Sequence, residues 1–478
     1  MKHSVYFNFG FWLGRVNSEV KTKPDTGCMC ESDLDLNIVN LLEYPSSINA
    51  TESGFNFIFG LTLNVMHSSC RSIFKVWDMG IGRTIAAVIA THIASISVGM
   101  GQGFSAILIP QLQKPSSIIS ISSDDASWIA SLGVISTPVG SLFAGIFMDL
   151  LGRKTTVQLT AIPFIIGWTI ITVSKGFTLL CVGRFITGMA IGMSSACYVY
   201  VAEICLPNDR GYLSAFGPVF VSLGVLIVYS LGYIVTWQYT SAACAVVALV
   251  GFAAMHAVPE TPSWLARQGC TKEARSALVW FRRSTAVADA ELKEIQQSLK
   301  VQMAGSSMDH CAQTFTNSAV WKPFFILIGF FLFQEASGMY IVLYYAVNFF
   351  EDAGSSLDDY VASIIVAGLR FFMAIIGSAC IQMFSRRALA TTSAFFMALS
   401  MGISGTYEYY FSELSMDDRP LNWIPLACIL ANVCASMLGM LQLPWVMIAE
   451  LFPLSVRGIM GGIVCSLGVD IIDPSFNV

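Results

Sequence analysis

The chain has 478 residues, of which 55% are apolar and 12% are charged. Soluble globular proteins carry about 25% charged residues, so this chain has too few charges to cover a water-facing surface. Together with the mean hydropathy of +0.66, the net charge of −5 excludes a soluble enzyme, a disordered regulator and a basic nucleic-acid binder. The composition predicts a polytopic, all-α protein of the lipid bilayer.

The amino-terminal residues 1–82 differ from the rest of the chain. They combine polar stretches such as 21–30 with one apolar run at 55–66, which is shorter than the roughly 20 residues that a spanning helix needs. We predict a poorly ordered tail here. The 13 cysteines are scattered along the chain without the spacing of a zinc site, so neither a metal nor a cofactor is predicted.

From residue 83 onward, apolar stretches long enough to span a bilayer recur. We predict a six-helix bundle at 83–258, a hydrophilic loop with short helices at 259–319, and a second bundle at 320–478. The loop helices either lie on the membrane surface or form a solvated linker. The stretches lie at 84–109, 126–148, 155–174, 178–203, 212–236, 240–258, 321–350, 360–384, 388–411, 423–449 and 459–472. The last one ends with the chain, so 10–11 helices and a truncated second repeat are expected, and transport by this chain alone is in doubt.

The charges of the short loops predict the orientation in the membrane. The loops after the second, fourth, eighth and tenth helices are basic, whereas the opposite loops are mainly acidic. Because positive residues remain on the cytoplasmic side, the amino terminus and the loop at 259–319 are predicted to be cytoplasmic. The protein is thus expected to be a multi-pass protein of the cell membrane.

A duplicated signature follows the fourth and the tenth helix. The first copy runs from Glu203 to Arg210 and Gly211, and the second from Glu450 to Arg457 and Gly458, so acid and base are seven residues apart in both. The duplication implies two six-helix repeats in the same orientation. Parallel repeats of this kind occur in transporters that rock one half against the other.

The charged residues around this signature are candidates for a cytoplasmic gate. A carboxylate at a helix end can accept hydrogen bonds from an arginine of a neighbouring segment and hold the halves together on one side. The alternative is ordinary interfacial charge that only sets topology. The candidate gate residues are Asp149, Arg153, Lys154, Glu203, Arg210, Arg386, Arg387, Glu450 and Arg457.

Several motifs in order resemble the sugar porters of the major facilitator superfamily, over about 84–472. They are MDLLGRK (148–154), GRFITG (183–188), AEICLPNDRG (202–211), PETPSWL (259–265), FQEASGMYIVLYY (333–345) and PWVMIAELFPLSVRG (444–458). The run VGMGQGFSAILIPQL (98–112) is most similar to the facilitated trehalose transporter-like proteins of insects. The resemblance implies a twelve-helix fold, alternating access and a sugar site at mid-membrane.

The resemblance also implies a set of substrate-binding residues. Gln334 matches a glutamine that contacts sugar hydroxyls, and Trp445 matches a tryptophan that lies against the sugar, with a packing aromatic as the alternative. Glu335, Tyr340 and Arg370 replace neutral hydrogen-bonding residues of the family. Glucose is therefore not the expected substrate.

Glu335 and Arg370 are charges within apolar stretches, where a charge is costly and usually has a partner or faces a cavity. Our hypothesis is that they pair across the central cavity; alternatively, one of them reaches an interface. The region around Phe104 and Ser105 holds no carboxylate, although proton-linked sugar porters place an aspartate there. This absence favours facilitated diffusion over proton symport, with Glu335 as the contrary indication.

Other functions are also considered. Ser404, in a glycine-flanked run, superficially resembles an intramembrane serine protease site, but the last histidine is His310 and no HExxH motif occurs, so we predict no catalytic residues and no enzyme activity. A sugar sensor that does not transport would use the same scaffold. The expected partners are a sugar of the trehalose or hexose class and the lipid bilayer, without nucleic acid, and the oligomeric state is left open.

Overall fold

The computed structural model describes residues 82–114, 119, 121–207, 209–304, 318–337, 359–411, 421, 423–452 and 456–470. All of them belong to one compact unit, Leu61–Val478. Residues 1–81 of the predicted tail and the candidate residue Tyr340 lie outside the described ranges.

The amino-terminal bundle contains nine helical segments that form six membrane-length spans. The segments are α1 (Gly82–Gln113), α2 (Ser123–Ile135), α3 (Thr137–Leu151), α4 (Arg153–Val173), α5 (Phe177–Met193), α6 (Ser195–Ile204), α7 (Arg210–Ser214), α8 (Phe216–Ile234) and α9 (Trp237–His256). Three spans are interrupted by a short irregularity, so that α2 and α3, α5 and α6, and α7 and α8 each form one span.

Three further helices follow the first bundle: α10 (Pro262–Arg267), α11 (Thr271–Arg282) and α12 (Thr285–Ala304). Ala274 and Leu278 of α11 pack with Ala288 and Leu292 of α12 in a small core. The next turn of α11 presents Phe281 to the core of the first bundle. The segment therefore has its own apolar core and also packs against the first bundle.

The described part of the carboxy-terminal bundle contains α13 (Ser318–Ala336), α14 (Asp359–Met383), α15 (Arg386–Phe411), α16 (Ile424–Leu438), α17 (Leu443–Leu451) and α18 (Arg457–Asp470). A turn at 439–442 separates α16 from α17, and Pro444 occupies the first turn of α17, where its missing N–H costs nothing. When segments that continue one another are counted as one span, nine spans of the described ranges are long and apolar enough to cross a membrane. Helix α18 is shorter.

The two bundles meet most extensively along two helix pairs, α3 with α18 and α8 with α14. At the first crossing the backbones approach closely through small residues. A Cβ atom added to Gly462 would lie 2.6 Å from the carbonyl oxygen of Ser141, and one added to Gly145 would lie 3.1 Å from that of Gly458. Because the small residues are four apart on each helix, they form facing stripes that allow this packing.

Candidate functional site

A buried ion pair ties the start of α4 to the end of α6. The Arg153 Nε donates to Glu203 Oε1 over 3.0 Å, and the two side chains are 3% and 0% exposed. The Arg153 Nη1 also donates to the carbonyl oxygen of Met148 over 3.0 Å. The pair therefore fixes three segments of the first bundle at one end, which we call the gate end.

Asp149 lies beside this pair and contacts two further elements. Its Oδ1 accepts from Arg267 Nη2 over 2.8 Å and lies 3.6 Å from Arg153 Nη1. Its carbonyl oxygen accepts from the Trp264 indole over 3.3 Å. Asp149 thus joins α10, the first helix after the bundle, to α3.

Glu260 was not among the sequence candidates, yet it binds the start of α4. Its carboxylate accepts backbone hydrogen bonds from Arg153, Lys154 and Thr155, at 2.9 to 3.5 Å. An anion at a helix amino terminus is favoured by the unpaired N–H groups and the helix dipole. Burial raises the pKa of Glu260, while these N–H groups act in the opposite direction.

Gly152 makes room for this carboxylate. Its φ of +98° suits glycine, and an added Cβ would lie 2.5 Å from Glu260 Oε2. The only sequence signal for Glu260 was its place in PETPSWL, because 107 residues separate it from Arg153. The Lys154 Nζ reaches the carbonyl oxygen of His256 over 3.5 Å.

The second repeat contains the equivalent ion pair. The Arg386 Nη2 donates to Glu450 Oε1 over 3.0 Å, and its Nη1 donates to the carbonyl oxygen of Ile381. Ile381 precedes Arg386 by five residues, as Met148 precedes Arg153. Here the arginine and glutamate side chains are 34% and 26% exposed, so the second pair is more accessible than the first. Arg387 is exposed.

The two repeats touch each other through the glycines of the duplicated signature. An added Cβ on Gly211 would lie 2.4 Å from Arg386 Nη2, and one on Gly458 would lie 3.3 Å from Asp149 Oδ1. Each glycine of one repeat therefore contacts the charged residues of the other.

The arginines of the signature lie in the same region. The buried Arg457 donates to the carbonyl oxygen of Phe452 over 3.2 Å and interacts electrostatically with Glu203, Arg210 and Arg153. The structure thus brings together all the gate candidates except Lys154 and Arg387, whose side chains point to other contacts or to the surface.

A further arginine that sequence reasoning missed links the short helices to the bundle. Arg282, at the end of α11, makes two hydrogen bonds of 2.7 and 2.8 Å with Glu291 of α12. Its Nη1 donates to the carbonyl oxygen of Ile204 at the end of α6 over 2.9 Å. A cation at a helix carboxyl terminus satisfies a free carbonyl and complements the dipole. Its one sequence signal was its place in a charged helical segment.

The predicted substrate-binding residues that the structure describes, which are all except Tyr340, lie in the second bundle. Gln334 is buried and Glu335 is partly buried at the end of α13, and Arg370 is buried in the middle of α14. Both Glu335 and Arg370 take part in polar or electrostatic interactions, and their pairing with each other stays a hypothesis. Trp445 lies on α17, where its ring stacks on Tyr198 of α6 at 5.5 Å and meets Phe331 of α13 edge-on at 5.4 Å.

A buried arginine also occupies the first bundle. Arg184 of α5 donates to Ser105 Oγ over 2.7 Å and to the carbonyl oxygens of Gly101 and Ile129 over 3.1 and 3.3 Å. Ser105 is thus a hydrogen-bond partner of a buried cation.

In the described ranges, no group of three His, Cys, Asp or Glu residues could hold a metal ion.

The fold and the two matching ion pairs are typical of one class of protein: polytopic helical membrane transporters with two repeats. Residues 57–469 match the family described as "Sugar (and other) transporter". The facilitated trehalose transporter Tret1 of Apis mellifera ligustica is 30% identical over 401 residues, which cover 83% of this chain and 78% of that protein. A Tret1-2 homolog of Drosophila simulans is 29% identical over 376 residues, 78% of this chain and 77% of that protein.

Solved structures share the fold. The proton:xylose symporter XylE bound to 6-bromo-6-deoxy-D-glucose matches with a TM-score of 0.71 at 20% identity, covering 81% of this chain and 86% of that one. The inward open conformation of XylE from E. coli matches with a TM-score of 0.62 at 20% identity, over 81% and 87% of the two chains. The chain belongs to the sugar transporter family, and it shares the major facilitator fold. It is a multi-pass membrane transporter rather than an enzyme.

Proposed function

We propose that this protein moves a sugar across the plasma membrane by alternating access, with the gate end in the cytoplasm. The observation that carries the proposal is that each repeat contains a matching ion pair, Arg153–Glu203 in the first and Arg386–Glu450 in the second. Both lie at the gate end, where the repeats touch. Separation of the repeats there would open the interior to the cytoplasm, and their contact would close it.

A sugar of the trehalose or hexose class is the proposed substrate. The insect relatives are facilitated trehalose transporters by name, and the solved neighbour is a xylose symporter with a bound glucose analogue. In this chain Gln334 would donate to and accept from sugar hydroxyls, and Trp445 would lie against the apolar face of the ring. Glu335 and Arg370 add charge that would shape the selectivity of the site.

Facilitated diffusion is the proposed mode of transport. Helix α1 contains no Asp or Glu between Gly82 and Gln113, and a carboxylate with a raised pKa is the usual reversible proton carrier inside a membrane protein. In the second half of α1, Ser105 accepts a hydrogen bond from Arg184. A serine hydroxyl does not ionise at physiological pH, so it cannot replace a carboxylate as a reversible proton-binding site.

Proton symport is the second candidate, and Glu335 is the observation that favours it. This carboxyl group is partly buried near the end of α13, next to Gln334. A carboxyl group in that environment could bind a proton together with the sugar. The two modes differ in whether a proton gradient drives accumulation.

Reconstituted vesicles with radiolabelled trehalose, glucose and xylose test the proposal. We expect uptake that saturates, stops at equal concentrations on both sides and does not respond to an imposed pH gradient. Accumulation above equilibrium that needs the gradient, and that is lost in Glu335→Gln, would favour symport. Binding of a sugar without any uptake would favour a sensor and contradict transport.

A further inference from the structure

The aromatic contact between Tyr198 and Trp445 joins the two repeats of the protein. Tyr198 lies on α6 in the first bundle and Trp445 on α17 in the second. Their ring centroids are 5.5 Å apart with an interplanar angle of 25°, a stacked arrangement. Aromatic pairs at this distance contribute more stability than the burial of their surface area alone provides.

These two residues occupy equivalent positions in the repeats. Tyr198 precedes Glu203 by five residues, and Trp445 precedes Glu450 by five residues. Since Glu203 and Glu450 are matching residues of the duplicated signature, Tyr198 and Trp445 match as well. A contact between matching residues of two repeats lies close to the pseudo-two-fold axis that relates them.

The position along the helices places this contact on the membrane side of the charged residues Glu203 and Glu450. Five residues of α-helix correspond to about 7.5 Å. The stacked rings therefore lie about one and a half turns further into the membrane than Glu203 and Glu450. Closure at the gate end thus has two layers: an outer layer of ion pairs and an inner layer of aromatic rings.

Neighbouring side chains hold both rings in place. The Trp445 ring meets the buried Phe331 of α13 edge-on. The Tyr198 ring meets the buried His92 of α1 edge-on at 6.1 Å, and His92 in turn stacks on Phe220 of α8 at 5.9 Å. Gly217 leaves the space for Tyr198, because an added Cβ would lie 2.4 Å from its ring.

We infer that Tyr198 and Trp445 form an inner aromatic gate that has to separate when the protein opens toward the gate end. The rings around this contact come from five helices, three in the first bundle and two in the second. Within the described residues, Tyr198–Trp445 is the ring contact that joins the first bundle to the second. This inference rests on the proposed alternating access. It gives Trp445 a role in closure besides its proposed contact with sugar, and it assigns Tyr198 a role that the sequence did not indicate.

Hydrogen exchange of the protein in lipid nanodiscs without sugar tests the gate independently of transport. We expect Tyr198→Leu to accelerate amide exchange at 443–451 in the opposite repeat by about three- to tenfold, because one stacked pair is lost. Tyr198→Phe keeps the ring and should change this exchange by less than about twofold. Unchanged exchange at 443–451 in Tyr198→Leu would overturn the inference.

Two further variants make the test reciprocal and controlled. Trp445→Leu should accelerate exchange at 195–204, and the double variant should match the single ones, because both remove the same contact. Additive effects would overturn the pairing. Tyr407→Leu is the matched control, because Tyr407 and Tyr198 are both 7% exposed. The ring of Tyr407 contacts Phe411 of its own helix, so exchange at 443–451 should not change in this variant. Absence of sugar uptake would contradict the proposed function without altering these exchange rates.

Discussion

Arg153–Glu203 and Arg386–Glu450 are ion pairs of the same design in different surroundings. The first is almost fully buried and the second is about one third exposed. Removal of one partner from a buried pair leaves an uncompensated charge, which costs about 3–5 kcal/mol. An exposed pair contributes about 0–1 kcal/mol because water and salt screen it.

We therefore expect Arg153→Leu to lower the free energy of unfolding by about 3–5 kcal/mol, and the matched variant Arg386→Leu by no more than about 1 kcal/mol. Thermal and denaturant unfolding in detergent measure both losses. Equal losses in the two variants would show that burial does not distinguish the pairs.

Glu260 gives a prediction about pH. Because burial raises its pKa above the ordinary value of 4.5, the folded protein binds this proton more tightly than the unfolded chain does. Stability from this group is therefore greatest at low pH and decreases as the pH rises from 4.5 through the raised native pKa. Glu260→Gln removes this titration.

The measurement is the difference in unfolding free energy between the natural protein and Glu260→Gln over that pH range. We expect the natural protein to lose stability relative to the variant as the pH increases. A difference that stays constant, or that changes in the opposite sense, would contradict a raised pKa.

At the scale of elements, Arg282 connects α11 and α12 to the end of α6. Arg275 is the natural control, because it also makes two hydrogen bonds to a carboxylate, that of Asp289. Its side chain is 48% exposed, and this contact lies within the α11–α12 pair. Arg282→Ala should expose the carbonyl oxygen of Ile204 and release α11 and α12 from the bundle.

We expect hydrogen exchange at 201–207 to increase in Arg282→Ala and to remain unchanged in Arg275→Ala. The physical reason is that Arg282 donates to the last turn of α6, whereas the described hydrogen bonds of Arg275 go to Asp289. The same increase in both variants would mean that the two short helices, rather than the Arg282 contact, protect this segment.

The helices themselves were largely predictable from the sequence. The predicted stretch at 84–109 corresponds to α1, and the one at 388–411 to α15, because a bilayer requires continuous apolar runs with satisfied backbones. The interruptions were not predicted. The turn at 439–442 contains one polar residue, Gln442, and lies within the tenth apolar stretch, so hydropathy gives little signal for the break.

At the scale of the whole molecule, the orientation in the membrane can be tested with Cys270. This free cysteine is exposed between α10 and α11. If the gate end is cytoplasmic, a membrane-impermeant maleimide added to intact cells should not label Cys270, whereas permeabilised cells should be labelled.

Cys270→Ser identifies the labelled site, because the signal of permeabilised cells should decrease in that variant. Labelling of intact cells that disappears in Cys270→Ser would place the gate end outside the cell. The charge distribution predicts the first result, since basic residues cluster in the loops of the gate end.

The sequence by itself determined the membrane-embedded class, the number of spans in the first bundle and the duplication of the Glu–Arg–Gly signature. These properties depend on apolar runs and on charges at fixed local spacing, which are visible along the chain. The sugar porter resemblance followed from the same local motifs.

Only the tertiary structure decided which side chains meet. Glu260 reaches the start of α4 across 107 positions, and Tyr198 meets Trp445 although the two lie in different repeats. The small-residue stripes of α3 and α18 also gain their meaning from the crossing of two distant helices. Such contacts depend on how the spans are arranged around each other, and composition and periodicity carry no information about that arrangement.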